Sequence, residues 1–246
     1  MTSARDAADP SYDEASDRGA GAAVTRASIP APGSRRLPRR VAQLVVGVFL
    51  YGIGIAFIIR GGLGAAPWDV LTQGVTRHVP LTFGTVTIII SAIVLLMWVP
   101  IRQRPGIGTV VNALGVGPAA DVGFLFLPEP DTLWLRILFF LIGLTVLAAA
   151  TGLYIGAHFG PGPRDGLMTG LHQRLGWPIW VVRTGLEVTV VVIGWVLGGT
   201  VGVGTVAFAL LVGPLCQFFM RVFAVRLGGG DPGPRPRAET RIDGDG

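Results

Sequence analysis

Sliding the sequence against itself by 96 residues lays Asp69 on Asp165, and the match extends far beyond that pair. Gly47 falls on Gly143, Gly64 on Gly160, Pro67 on Pro163, Leu71 on Leu167 and Gly74 on Gly170. Further along, with no gap, "GIGTV" from Gly106 meets "GVGTV" from Gly202, and Gly117-Pro118 meets Gly213-Pro214. A single ungapped register of this length marks an internal duplication. The chain must therefore fold as two copies of one unit.

Each copy consists mainly of apolar runs. Stretches at 41–59, 81–101, 107–127, 133–157, 178–197 and 203–225 are long enough, at about 1.5 Å per residue, to cross a hydrocarbon core of about 30 Å. Half of the residues are hydrophobic and only 14% are charged, with a mean hydropathy of +0.60, outside the balance of soluble domains. The expected class is an all-α membrane protein with six transmembrane helices arranged as two inverted three-helix repeats. Repeat 1 covers 41–132 and repeat 2 covers 133–227, between polar tails at 1–40 and 228–246 that read as disordered and cytoplasmic. A cleavable signal peptide is not expected, because the first apolar segment starts only at Val41, behind Arg35, Arg36, Arg39 and Arg40.

Between the first and second long runs of each copy lies a broken motif, "RGGLGAAPWDVLTQG" from Arg60 and "HFGPGPRDGLMTG" from His158. Each motif opens a short helix, expected over 67–79 and 163–175, with Pro67 and Pro163 in the first turn and Asp69 and Asp165 at its positive dipole end. In the first, Trp68, Leu71, Val75 and Val79 recur at helical spacing opposite Asp69, Thr72, Gln73 and Thr76. At roughly 12 residues, about 18 Å, neither short helix crosses the bilayer alone. Two placements stay open: amphipathic and flat in the interface, or re-entrant, with its tip aimed at mid-depth.

Arginine placement sets the expected orientation. All twenty basic residues are arginine. If the short helices do not cross, Arg102, Arg104, Arg164, Arg174, Arg183, Arg221 and Arg226 share the cytoplasmic side with both tails, and only Arg60, Arg77 and Arg136 lie outside. An odd number of crossings per copy then inverts one copy relative to the other.

Paired Gly/Pro-interrupted segments in matching positions of inverted halves point to a binding site. The candidate site residues are Arg60, Gly64, Pro67 and Asp69 from the first motif, and Gly160, Pro163, Arg164 and Asp165 from the second. Helix-tip amides with Arg60 and Arg164 would hold an anionic or zwitterionic solute, and the matched aspartates would bind a cation or proton or else only neutralise a helix dipole. Glu187 and Arg183, one turn apart in the fifth run, are intramembrane ionisable candidates, alternatively a self-satisfied ion pair. Catalytic motifs are lacking: there is no Gly-x-Ser-x-Gly, no His-Glu-x-x-His and no Walker loop. No enzyme activity, cofactor or metal site is expected, nor a nucleic-acid partner, since arginines are not interleaved with aromatics. Cys216 has no partner for a disulfide or a zinc site and reads as a small core residue.

"GIGIAFIIRGGLGAAPWDVLTQG" together with "TGLYIGAHFGPGPRDGLMTGL" resembles the YczE/YitT-type bacterial integral membrane proteins, over about Val41 to Leu227. The resemblance implies a multi-pass protein of the bacterial inner membrane and supplies no accepted ligand residues. The expected function is a small-solute transporter or permease with a site between the repeats. The alternatives are a membrane-embedded regulatory or interaction protein without transport, or a substrate-capturing subunit of a larger transporter. The expected partners are the lipid bilayer and an unidentified small solute, with assembly into a homo-oligomer left open.

Overall fold

The computed structural model describes residues 37–223, so the expectations for most of the two tails lie outside the described residues. Within them the chain forms α1 (Leu37–Gly61), α2 (Pro67–Thr76), α3 (Phe83–Ile101), α4 (Ile107–Phe126), α5 (Leu133–Gly156), α6 (Pro163–Leu175), α7 (Ile179–Val196) and α8 (Val203–Phe223). Six of these are long and apolar enough to cross a membrane by length and composition, and α2 and α6 are the short helices between them. Many large apolar side chains, Leu96, Leu125, Val203 and Leu210 among them, point away from the protein, a surface suited to lipid rather than water.

Two boundaries differ from expectation for local reasons. Helix α1 starts at Leu37, inside the stretch expected to be tail, because Arg40 folds inward and is buried. Its Nε donates to the Ala157 carbonyl at 2.8 Å and its Nη2 to the His158 carbonyl at 3.0 Å, with the guanidinium over the Phe159 ring. The cation thus satisfies carbonyls at the C-terminal end of α5. Helix α2 stops at Thr76, where Arg77 and His78 turn back onto the carbonyls of Gly74 and Val75, the tightening common at helix ends.

Packing centres on α1 against α5. Gly47 lies against Ala150 and Tyr154, Gly54 against Gly143 and Leu147, and Gly61 against Arg136 and Phe140. The partner numbers fall as the α1 numbers rise, so the two helices run antiparallel. The contacts are also reciprocal in the 96-residue register: Gly47 meets Ala150 and Tyr154, and Gly143 meets Gly54 and Ile58. Reciprocity of this kind is what a two-fold relation produces. Glycine at these positions lets backbones touch, which favours association where lipid removes the hydrophobic drive between helices.

Most of the remaining contacts come in matched pairs, the contact of α3 with α4 being the main exception. Helix α4 packs on α1 as α8 packs on α5, and α2 packs on α7 as α6 packs on α3. Each short helix is therefore held by a long helix of the other copy. The backbone largely repeats as well: left-handed residues occur at Gly62 and His158, at Gly64 and Gly160, and at Arg102 and Gly198, each pair 96 apart, while Gly176 stands opposite Pro80 and has no left-handed counterpart. Gly204 donates to the Leu63 carbonyl at 2.8 Å, and Gly108 donates to the Phe159 carbonyl at 2.9 Å. Side-chain volume is exchanged between the two contacts. Trp98 covers Gly166 and donates through Nε1 to the Pro163 carbonyl at 3.1 Å, whereas its counterpart Gly194 lies against the Val70 and Leu71 backbone.

Candidate functional site

The first turns of α2 and α6 meet inside the bundle. Pro67 and Pro163 are both buried, and Arg164 extends from α6 to Asp69 on α2, its Nη1 and Nη2 lying 3.3 and 3.4 Å from Oδ1. The same guanidinium lies over the Trp68 ring, 5.4 Å from its centroid. Asp69 is 1% exposed; burial pushes its carboxyl up from the ordinary value, and the Arg164 charge and hydrogen bonds pull against that shift. A carboxylate and a guanidinium from different copies thus tie the two helix tips together.

Asp165 is partnered differently. Its Oδ2 accepts from the Tyr154 hydroxyl at 2.8 Å, and among the described residues it forms no ion pair. The Tyr51 ring meets Tyr154 edge-on at 6.1 Å. Two tyrosines, Arg164 and Asp165 form the centre of the site.

Two cavities open from this centre, and both are lined by Tyr51, Tyr154, Arg164 and Asp165. The larger, about 390 Å³, lies between α7 and α8 and adds Arg183, Glu187, Phe208, Val212 and Gln217 to its wall. The smaller, about 40 Å³, lies between α3 and α4 and is lined by Thr87, Ser91, Asn112 and Val116. Thr87, Ser91, Asn112 and Val116 are the 96-residue counterparts of Arg183, Glu187, Phe208 and Val212. The cavities are thus equivalent places in the two copies, one roomy enough for a solute and one reduced to the volume of a water or two.

The difference lies in the seams. Helices α3 and α4 touch at Gly84 and Gly117: a Cβ at Gly84 would stand 2.6 Å from the Gly117 carbonyl oxygen. Asp121 on α4 accepts from the Gly84 amide at 2.8 Å, placing a carboxylate on the first turn of α3. In the other copy Trp180 stands where Gly84 would be and Gln217 where Asp121 would be. Gly213, the counterpart of Gly117, has nothing within 4 Å of its Cβ position. Helices α7 and α8 stand apart, and the cavity opens between them.

Of the residues singled out by sequence, Pro67, Arg164, Asp165, Arg183 and Glu187 line the large cavity and Pro163 the small one, while Asp69 lines neither and is buried against Arg164. Gly160 borders a third space, of about 340 Å³, that also reaches Asp165. Gly64 packs against Gly202 and Thr205 instead. Arg60 is not brought to the site; it pairs with Glu129 and donates to the Phe124 carbonyl at 2.8 Å, with its guanidinium over the Phe124 ring. Arg183 and Glu187 pair with each other at 2.9 Å, part-exposed in the cavity wall. Sequence reasoning missed Tyr51 and Tyr154, which sit at unremarkable places in apolar runs, and the capping role of Asp121. The pairing of Gly117 with Gly213 marked the seam but not its two states.

Six apolar spans, lipid-suited outer surfaces and a polar centre enclosed by helices define a multi-span membrane protein. Residues 38–221 match DUF6198, a family of unknown function, and the chain belongs to that family. It is similar to an uncharacterized protein of Haemophilus influenzae, 39% identical over 186 residues that cover 76% of this chain and 85% of that protein. It is also similar to the uncharacterized membrane protein YczE of Bacillus subtilis, 33% identical over 70% of this chain and 81% of the relative. YyaS of the same organism, likewise uncharacterized, is 27% identical over 72% of this chain and 90% of the relative. The expected resemblance to YczE is borne out. No solved structure matches the chain.

Proposed function

We propose that the protein is a small-solute transporter of the bacterial inner membrane, built from two inverted repeats that present one central site to one side of the bilayer at a time. The observation that carries this reading is the pair of equivalent cavities, one open and one shut, that share Tyr51, Tyr154, Arg164 and Asp165. Two-fold-related halves that differ in one seam form a bistable arrangement, and exchanging which seam is shut moves the site from one face to the other. The antiparallel run of α1 against α5 supports an axis in the membrane plane. The mutual burial of the α2 and α6 tips supports re-entrant rather than interfacial short helices. With both termini cytoplasmic, as the arginine bias favours, the α7–α8 opening faces the cytoplasm and the Gly84–Gly117 seam closes the outside.

The test uses single cysteines in a Cys216→Ser background, at Gly213 in the open cavity and at Ser91 in the shut one. In intact cells and inverted vesicles, Gly213→Cys is expected to react with a membrane-impermeant thiol reagent from the cytoplasmic face while Ser91→Cys is protected. A transported solute, sought with a panel in proteoliposomes, exchanges the two patterns. If the pattern stays fixed with every solute and no uptake is measured, the chain is a membrane-embedded interaction or regulatory protein. If uptake needs a second protein, it is a capturing subunit.

A further inference from the structure

The 96-residue register makes Asp69 and Asp165 equivalent, but the fold does not. Asp69 is buried against Arg164, a cation supplied by the other copy. In the first copy, which would have to supply a cation to Asp165 in return, the residue that corresponds to Arg164 is Trp68, so Asp165 receives no matching cation and has the neutral hydroxyl of Tyr154 instead. Asp165 is also the one acidic side chain that borders both the open and the shut cavity. It therefore stands where the two cavities meet.

We propose that Asp165 is the proton-binding group of this site, taking a proton from one cavity and releasing it to the other. This rests on the transporter reading above and adds the coupling chemistry. A proton adds to one carboxylate oxygen, converting the anion to the acid, and its departure restores the anion; no bond elsewhere changes. The surroundings fit a proton better than a metal ion. Hard cations such as Ca2+ take about 6–8 oxygen ligands, whereas among the described residues the one side-chain oxygen bonded to the Asp165 carboxylate is the Tyr154 hydroxyl.

The charges around Asp165 set the balance. From α1 and α5 come Tyr51 and Tyr154, and from its own helix Arg164, whose charge is shared with Asp69 on α2. From α7 come Arg183 and Glu187, which neutralise each other, and α8 contributes the Cys216 thiol. His158, at the end of α5, borders the third space, while α3 and α4 offer the uncharged Thr87, Ser91 and Asn112. Asp165 is the acid left over. Its protonation removes a net negative charge from the centre, so the two arrangements of the seams need not bind the proton equally, and pH becomes a ligand.

The experiment uses the full chain in phosphatidylethanolamine–phosphatidylglycerol liposomes with the proton itself as probe. Infrared difference spectra between acid and neutral pH are expected to show a protonated-carboxyl band that is lost in Asp165→Asn and kept in Asp69→Asn and Asp165→Glu. In parallel, the ratio of Gly213→Cys to Ser91→Cys labelling is expected to change with pH by up to about tenfold per unit for one coupled proton, and to be flat in an Asp165→Asn background. If Asp165→Asn misfolds, Tyr154→Phe serves, since removing the hydroxyl must displace the pH at which the band grows in. A band or labelling response that persists unchanged in Asp165→Asn, or an unmoved band in Tyr154→Phe, overturns the proposal. Labelling that exchanges sides with solute but ignores pH also overturns it while leaving transport standing. A band lost with Asp165 in a protein whose cavities never exchange supports proton binding and removes transport instead.

Discussion

Helices α3 and α4 meet glycine to glycine, with Asp121 fastened to the Gly84 amide, while their counterparts α7 and α8 lean apart around a cavity large enough for a solute. Three pairs of left-handed residues recur in the two copies, with Gly176, opposite Pro80, the exception, so the backbone frame is largely shared. The difference arises at a few side chains. Trp180 replaces the glycine that would allow contact, Gln217 replaces the carboxylate that would cap the neighbouring helix, and Arg183 with Glu187 place charge where Thr87 and Ser91 are only polar. Duplication fixes the frame; divergence at the seam decides which half is shut.

The comparison breaks hardest at its centre. Arg164→Ala leaves Asp69 buried without a cation, and losing one partner of such a pair costs about 3 kcal/mol, here expected as a large fall in the detergent melting temperature. Because Asp69→Asn removes the stranded charge, the double variant is expected to regain much of that loss. If Arg164→Ala melts like the parent, the tips are not tied through this pair.

The seam is next. Gly117→Ala puts a methyl group against the Gly84 carbonyl and is expected to destabilise the protein by about 2 kcal/mol, with Ser91→Cys becoming reactive toward thiol reagents as the seam is forced apart. Asp121→Ala removes a carboxylate–amide bond at the same seam, worth about 1 kcal/mol, and is expected to raise Ser91→Cys labelling more than it lowers the melting temperature. The smallest effect is expected at the equivalent glycine of the open half. Gly213→Ala enters empty space and should move stability by no more than about 0.5 kcal/mol in either direction. Equal melting temperatures for Gly117→Ala and Gly213→Ala would mean that the two seams are alike in the membrane.

Much of the frame is legible in the residues. The apolar runs place all six long helices to within a few residues, because a bilayer-spanning helix needs little beyond length and hydropathy. The paired Pro and Asp marked where α2 and α6 begin, since proline and a carboxylate suit the first turn of any helix. Arg40 and Arg60 show where such reading ends. Arg40 reads as a tail charge and is instead buried on the last carbonyls of α5, while Arg60 reads as a site residue and is held by Glu129. In both cases the partner lies 69 or more residues away, and no local pattern encodes it.

The sequence alone determined the duplication, the number of apolar spans and the positions of the two broken motifs, because each follows from self-similarity, length and the backbone chemistry of glycine and proline. Only the tertiary structure decided that Arg164 reaches Asp69, that Asp165 is left to Tyr154 and that one seam is closed while its twin stands open. Those outcomes depend on which side chains of one copy meet the other across the bundle, and a matched register, being the same for both copies, is blind to where they differ in contact.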